Sequence, residues 1–169
     1  MQITSPKKLT SLNNLVCNLA YTRRIVHARQ KLTLTRLHEI GPWGISLSVK
    51  KKIWGKDTKY CILNVGSLKI QKDHFNLIEA FSLLKFHENC KLLIIGNGPL
   101  KNKLKKFVKS KNLDKEVIFI NFKSNLQKYY ETADLFVSSS KWEGFSNVIA
   151  ESLGYGLSVV STDCKSGPS

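Results

Sequence analysis

The sequence predicts an α/β chain: a Rossmann-like three-layer parallel sheet preceded by a short, basic, helical N-terminal segment. Two observations carry that expectation. From Tyr60 onward, short apolar runs alternate with amphipathic stretches, the rhythm of repeated βα units. The runs are continuously apolar rather than alternating, as strands covered on both faces are. Right-handed crossovers then make the doubly covered parallel sheet the economical topology.

Taken in order, residues 1–58 form the basic segment. Leu9, Leu12, Val16 and Leu19 recur at helical spacing, with Ser5-Pro6 placed to start a helix, and a second amphipathic stretch runs from about Ile25 to Leu37. Gly41-Pro42-Trp43-Gly44 breaks it, and Lys50-Lys51-Lys52 follows. The segment reads as a packing appendage or the remnant of a preceding domain, with a membrane-surface helix as the functional alternative. The sheet domain spans 59–169. Strands are expected at Tyr60–Val65, Lys91–Ile95, Val117–Ile120, Leu135–Val137 and Ser158–Ser161. Helices are expected at about Phe75–Leu84, Leu100–Lys111, Leu126–Thr132 and Asn147–Leu153.

The 169 residues carry a formal net charge of +15, which favours anionic partners. The charge is uneven: residues 1–58 hold 11 Lys/Arg against 2 acids, and the remainder 16 against 10. The Leu100–Lys111 helix sets Leu100, Leu104, Phe107 and Val108 on one face and lysines elsewhere. It is first a solvated face and second a contact for anionic lipid or a phosphorylated lipid acceptor. No zinc-ligand spacing or nucleic-acid module accompanies the charge, so nucleic acid is not an expected partner. Cys17, Cys61, Cys90 and Cys164 lack C-x-x-C spacing and read as reduced thiols. With no signal-peptide core and no run of 18 apolar residues, the expectation is a cytoplasmic protein, peripheral at most to the inner membrane face. His27, His38, His74 and His87 show no ligand spacing and are assigned no chemistry; no metal or cofactor is expected.

The segment Leu135 to Glu151, LFVSSSKWEGFSNVIAE, organises the rest. It reads strand, loop, helix, and in an open α/β sheet ligands bind at the carboxyl ends of strands. Gly144 allows a close backbone approach or a positive φ. Ser146 or Asn147 can cap the helix, and amides left free at its start form a phosphate site. Glu143 lies before that helix and Glu151 in its second turn, with seven residues between them. Carboxylates repel a diphosphate unless they sit beyond its two ends, where each can grip vicinal hydroxyls. A ligand with hydroxyls, then diphosphate, then hydroxyls is a nucleotide sugar. A glycosidase would instead need carboxylates about 5 to 10 Å apart across one bond. The Gly96-Asn97-Gly98-Pro99 turn is not a G-x-G-x-x-G fingerprint, which disfavours a nicotinamide or flavin enzyme.

The E-x7-E pattern within SSSKWEGFSNVIAESLGYGLSVVSTDCKSGP resembles the donor-binding, C-terminal half of the retaining GT-B glycosyltransferases, specifically family 4, from roughly Tyr60 to Ser169. The resemblance implies one half of a GT-B fold that transfers a hexose or N-acetylhexosamine from a nucleotide diphosphate sugar to a glycan or lipid-linked acceptor. It implies no obligatory metal, and front-face chemistry in which the leaving phosphate helps deprotonate the acceptor. Gly66 to Asp73 matches the family's phosphate loop, with Lys72 at the lysine position and Ser67 where an arginine is usual. Losing that forked contact is expected to cost about 1.5 to 3 kcal/mol of donor binding. Gly98 belongs to the turn that shapes the cleft floor. Asn121 stands where the family has a glycine, which its tolerance of left-handed geometry accommodates, and Ile120 to Phe122 contact the base. Glu143 orients the donor sugar with help from amides around Gly144, Phe145 and Ser146, while Asn147 opens the helix and Glu151 binds the ribose diol. Catalytic positioning then falls to Lys72, Glu143 and the helix amides. The family's acceptor-binding domain and closing helices are not recognisable in this sequence. A separate acceptor-binding chain, or a non-catalytic nucleotide-sugar-binding or interaction fragment, is therefore the alternative, and whether the chain is itself an enzyme is left open.

Overall fold

A computed structural model of the chain describes residues 25–26, 47–84 and 87–164. Among the sequence expectations that lie wholly outside these residues are the helix through Leu9 and Leu19, the Gly41-Pro42-Trp43-Gly44 break and the state of Cys17. The described strands are β1 (Ile25–Val26), β2 (Tyr60–Val65), β3 (Cys90–Ile95), β4 (Val117–Ile120), β5 (Leu135–Ser138) and β6 (Ser158–Thr162). The helices are α1 (Leu47–Trp54), α2 (His74–Ser82), α3 (Lys101–Ser110), α4 (Gln127–Thr132) and α5 (Asn147–Gly154). Expected and observed bounds differ by one or two residues at most from β2 onward.

The strands lie in one sheet in the order β1-β6-β5-β2-β3-β4. β6, β5, β2, β3 and β4 are mutually parallel, and β1 pairs antiparallel with β6 through Ile25↔Thr162 and Val26↔Ser161. This corrects the helix expected from Ile25 to Leu37: its first two residues are an edge strand, and the rest lies outside the described residues. Pairing to a free sheet edge overrides helical spacing there.

Successive residues of each strand face opposite layers, as the pleat requires. Ile62, Leu92, Ile94, Leu135 and Val137 pack with Leu77, Ile78 and Phe81 of α2 and Leu104 and Val108 of α3. Cys61, Leu63, Leu93, Ile95 and Phe136 pack on the other side with Trp54 of α1, Tyr129 and Tyr130 of α4, and Ile149 of α5. Helix α1 is thus built into the domain. The buried Trp54 donates its indole N–H to Thr132 Oγ1 at 2.8 Å, and Lys50 pairs with Asp134 at 3.2 Å. Part of the basic segment therefore covers one face of the sheet.

The chain runs outward from β2 through β3 to β4, then crosses back to lay β5 and β6 on the other side of β2. That reversal is the topological switch point, where the two outgoing loops separate and leave a crevice. The register shows the separation. β2 and β3 pair from Tyr60↔Cys90 to Val65↔Ile95, whereas β2 and β5 pair only through Ile62↔Leu135 and Leu63↔Phe136. Beyond Leu63 the two strands part. Among the described residues no helix is long and apolar enough to cross a membrane, and Cys61, Cys90 and Cys164 form no disulfide.

Candidate functional site

Asn64 sits where β2 and β5 diverge, a polar residue in a buried strand. Its side-chain amide donates to Val137 O at 2.8 Å, replacing the backbone bond the parting strands no longer make. Asn64 Oδ1 accepts from His74 Nε2 at 3.1 Å, which fixes the neutral Nε2–H tautomer and leaves Nδ1 buried without a partner. His74 is 0% exposed. Burial, and then the nearby Lys72 charge, lower its pKa from 6.5 to about 4. The Asn64 side chain thus bridges β2 to β5 just where their backbones part, and His74 holds it there from α2. Sequence reasoning missed both, although an asparagine inside YCILNV was a usable signal.

The two loops flanking the crevice are fastened to each other. Lys141 N donates to Gln71 O at 2.8 Å, Ser139 Oγ donates to Lys72 O at 2.7 Å, and Lys141 pairs with Asp73 at 3.6 Å. Asp73 adopts a left-handed φ of 46° as the chain turns from the loop after β2 into α2. This arrangement carries Lys72 to Glu143, and its ammonium donates directly to Glu143 Oε1. Glu143 is only 8% exposed, and its Oε2 is buried without a partner. Gly66 lies under the same lysine: a Cβ there would touch the Lys72 side chain at 3.5 Å. Ser67 is half-buried at the start of this loop.

Gly98 packs its backbone against the loop after β2, since an added Cβ would lie 2.5 Å from Leu68 O. Leu68 N donates to Asn97 O and Leu100 N to Leu68 O. The loop after β4 is tied on in turn, with Phe122 N donating to Asn97 Oδ1 at 3.3 Å and Lys101 Nζ to Asn121 Oδ1. Phe122 itself is exposed. Asn121 is not among the residues with positive φ; Asp73 and Asn112 are the described non-glycine residues that are. The expected need for left-handed tolerance at Asn121 is therefore corrected: ordinary backbone geometry suffices.

Two further expectations change at the loop before α5. Gly144 does not have a positive φ, and a Cβ there would meet nothing within 4 Å. Ser146 occupies the N-cap position with φ −89° and ψ 93°, yet neither it nor Asn147 caps through its side chain. Ser146 Oγ is buried with no partner, while Ser146 O accepts from Ile149 N and Ala150 N. The start of α5 thus keeps uncapped amides, the electropositive end of an eight-residue helix. Phe145, 87% exposed, stands beside it.

Glu151 is on the second turn of α5, exposed. It is bound not to the Lys72 cluster but to helix α4, where Tyr130 Oη donates to Glu151 Oε2 at 2.9 Å. Lys72, Glu143 and Gly66 are therefore gathered in the switch-point crevice, with Gly144 to Asn147 continuing from Glu143 into α5. Gly98, Asn121 and Phe122 sit on the adjoining loops. Among the described residues no three His, Cys, Asp or Glu side chains gather as a metal site.

The buried imidazole has a measurable consequence. Folding holds His74 neutral while the unfolded chain protonates at its ordinary value, so stability is complete above pH 6.5 and falls as the pH drops from 6.5 toward about 4. The loss from this group is at most about 3 kcal/mol. Imidazole NMR should show His74 unprotonated at pH 5.5, and a midpoint near 6.5 would contradict the buried pair.

A family model described as "Glycosyl transferases group 1" matches residues 48–169. The chain is 43% identical over 106 residues to the N-acetylgalactosamine-N,N'-diacetylbacillosaminyl-diphospho-undecaprenol 4-alpha-N-acetylgalactosaminyltransferase of Campylobacter jejuni. The match covers 63% of this chain and 28% of that protein. It resembles S. aureus TarM, solved as a mutant in complex with fondaparinux, α-GlcNAc-glycerol and UDP. The TM-score is 0.61 and the identity 30%, over 64% of this chain and 22% of the other. It also resembles the C-terminal domain of a glycosyl transferase group 1 family protein from Francisella tularensis, with TM-score 0.58 and 27% identity, over 65% of this chain and 61% of that one. The chain spans less than a third of the length of the curated relatives it matches.

Proposed function

Because this chain belongs to the glycosyl transferases group 1 family and corresponds to the C-terminal half of a GT-B enzyme, we propose that its switch-point crevice binds the nucleotide diphosphate sugar of a retaining hexosyl or N-acetylhexosaminyl transfer. One observation supports this above the others: Lys72 and the nearly buried Glu143 meet where β2 and β5 part, directly before the uncapped start of α5. A diphosphate at that helix start competes with Glu143 for the Lys72 ammonium, and helix amides take the remaining charge. Glu143, with Oε2 already unpartnered, then turns to the hydroxyls of the sugar. Glu151, beyond the other side of the helix start, takes the ribose diol. The turn bearing Gly98 shapes the cleft floor, and the loop bearing Asn121 and Phe122 supplies the base contacts. Lys72 and the amides stabilise the leaving diphosphate, which accepts the acceptor's proton, with no metal called for.

A glycan or lipid-linked hydroxyl is the acceptor class. The C. jejuni relative, whose name carries a diphospho-undecaprenol acceptor, supports the lipid-linked form. The exposed lysines of α3, Lys103, Lys105, Lys106 and Lys109, suit contact with its phosphates or an anionic membrane. Donor binding is tested by thermal shift of the chain with UDP, GDP and their sugars. Stabilisation by one nucleotide series, abolished by Glu151→Ala, is expected. No shift with any nucleotide would overturn the reading. Turnover is a separate property, because the chain covers under a third of its curated relatives. Donor binding without product, with acceptor supplied, would assign it the role of a nucleotide-sugar-binding module.

A further inference from the structure

Glu151 is an exposed helical glutamate, a side chain that ordinarily samples several rotamers and loses that freedom when it binds. Here one oxygen is already held. Tyr130 is 1% exposed, its ring stacked on Tyr155 with centroids 5.2 Å apart and planes 8° from parallel, and tilted against Phe136 at 6.2 Å. From that fixed base the hydroxyl reaches Glu151 Oε2 at 2.9 Å. Burial first, and then the bond to Glu151, raise the pKa of the phenol, so it remains a donor across the working pH range. Helix α4 is itself braced by Trp54 on Thr132, and the segment just after it by Lys50 on Asp134. Of the roughly four lone-pair directions on a carboxylate, Tyr130 occupies one and leaves Oε1 untouched.

Resting on the donor-site reading above, we propose that Tyr130 is a positioning residue for nucleotide recognition. It locks the Glu151 carboxylate in the orientation that accepts both vicinal hydroxyls of the nucleoside ribose, so that the site discriminates ribonucleotides from deoxyribonucleotides. Preorganising one acceptor removes the rotamer cost of binding. Helix α1 shares in this through its grip on α4, which gives a segment upstream of the first core strand a part in nucleotide binding.

The test is calorimetric titration of the 169-residue chain with UDP and GDP and with their 2'-deoxy and 3'-deoxy counterparts. Tyr130→Phe keeps the ring and removes only the hydroxyl. It is expected to weaken the ribonucleotide about tenfold while leaving the deoxy analogues within about twofold of wild type. Glu151→Gln keeps the shape of the side chain and an amide oxygen that can still accept from Tyr130, and is expected to collapse the same ribose-to-deoxyribose preference. Equal weakening of ribo and deoxy ligands by Tyr130→Phe would show a merely structural role, and no weakening of either would also overturn the proposal. If Glu151→Ala loses binding while Tyr130→Phe matches wild type, only the positioning role fails. If the wild-type chain binds no nucleoside diphosphate, the donor-site reading fails and this proposal with it.

Discussion

Replacing Gly96 with alanine is expected to destabilise the fold by about 3 kcal/mol or more, and Gly98→Ala by a comparable amount. A Cβ on Gly96 would overlap the carbonyl of Gly66, with the Gly66 carbonyl carbon 2.9 Å away, and one on Gly98 would lie 2.5 Å from Leu68 O. These are backbone atoms, so no rotamer change relieves the clash. The backbones cannot retreat cheaply, because Gly66 N is bonded to Ile95 O, Gly96 N to Ile120 O and Leu68 N to Asn97 O. The strain must shift the loop that carries Lys72, so nucleotide binding should fall with stability. Gly144→Ala is the control: a Cβ there meets nothing within 4 Å, and urea midpoints should match wild type. Equal stability of Gly96→Ala and wild type in urea denaturation would contradict the observed loop packing.

Lys72→Met is expected to cost about 2 to 4 kcal/mol in the protein alone. It strands the Glu143 carboxylate, 8% exposed, whose Oε2 already lacks a partner, and isolating one member of a buried pair costs about 3 to 5 kcal/mol. The lower range here reflects water reaching the lysine, whose side chain is 18% exposed. Glu143→Gln should cost much less, since the lysine stem can carry its ammonium to water. The double variant should recover most of the Lys72→Met loss, and failure to recover would mean that the two groups are not coupled. Binding should separate differently. Lys72→Met is expected to lose UDP and UDP-sugar alike, whereas Glu143→Gln should keep UDP and lose the added affinity contributed by the sugar.

Much of the architecture was legible because it is written in local pattern. Runs rich in apolar residues placed β2 to β6 within one residue of their observed bounds, since strands covered on both faces are mostly apolar, Asn64 being an exception. Glu143 and Glu151 could be singled out by their spacing around one strand-loop-helix unit, whereas Lys72, in the loop after β2, was singled out only by its match to the family's phosphate loop. Local rules failed where tertiary contacts outweighed them. Ile25 and Val26 joined a sheet edge instead of continuing a helical period. Ser146 reached the N-cap position without capping, and Gly144 and Asn121 adopted ordinary backbone angles. Helix α1, read only as part of a basic segment, turned its tryptophan into the core.

The sequence by itself determined the kind of layers, the positions of the loops and the charged and small residues available at the strand ends, because periodicity and turn chemistry act over a few neighbouring residues. Only the tertiary structure decided which of those residues meet. The crossover from β4 back to β5 brings Lys72 against Glu143, lets Asn64, held by His74 of α2, bridge β2 to β5, and sets Tyr130 against Glu151. Such pairings follow from strand order, which no local spacing encodes.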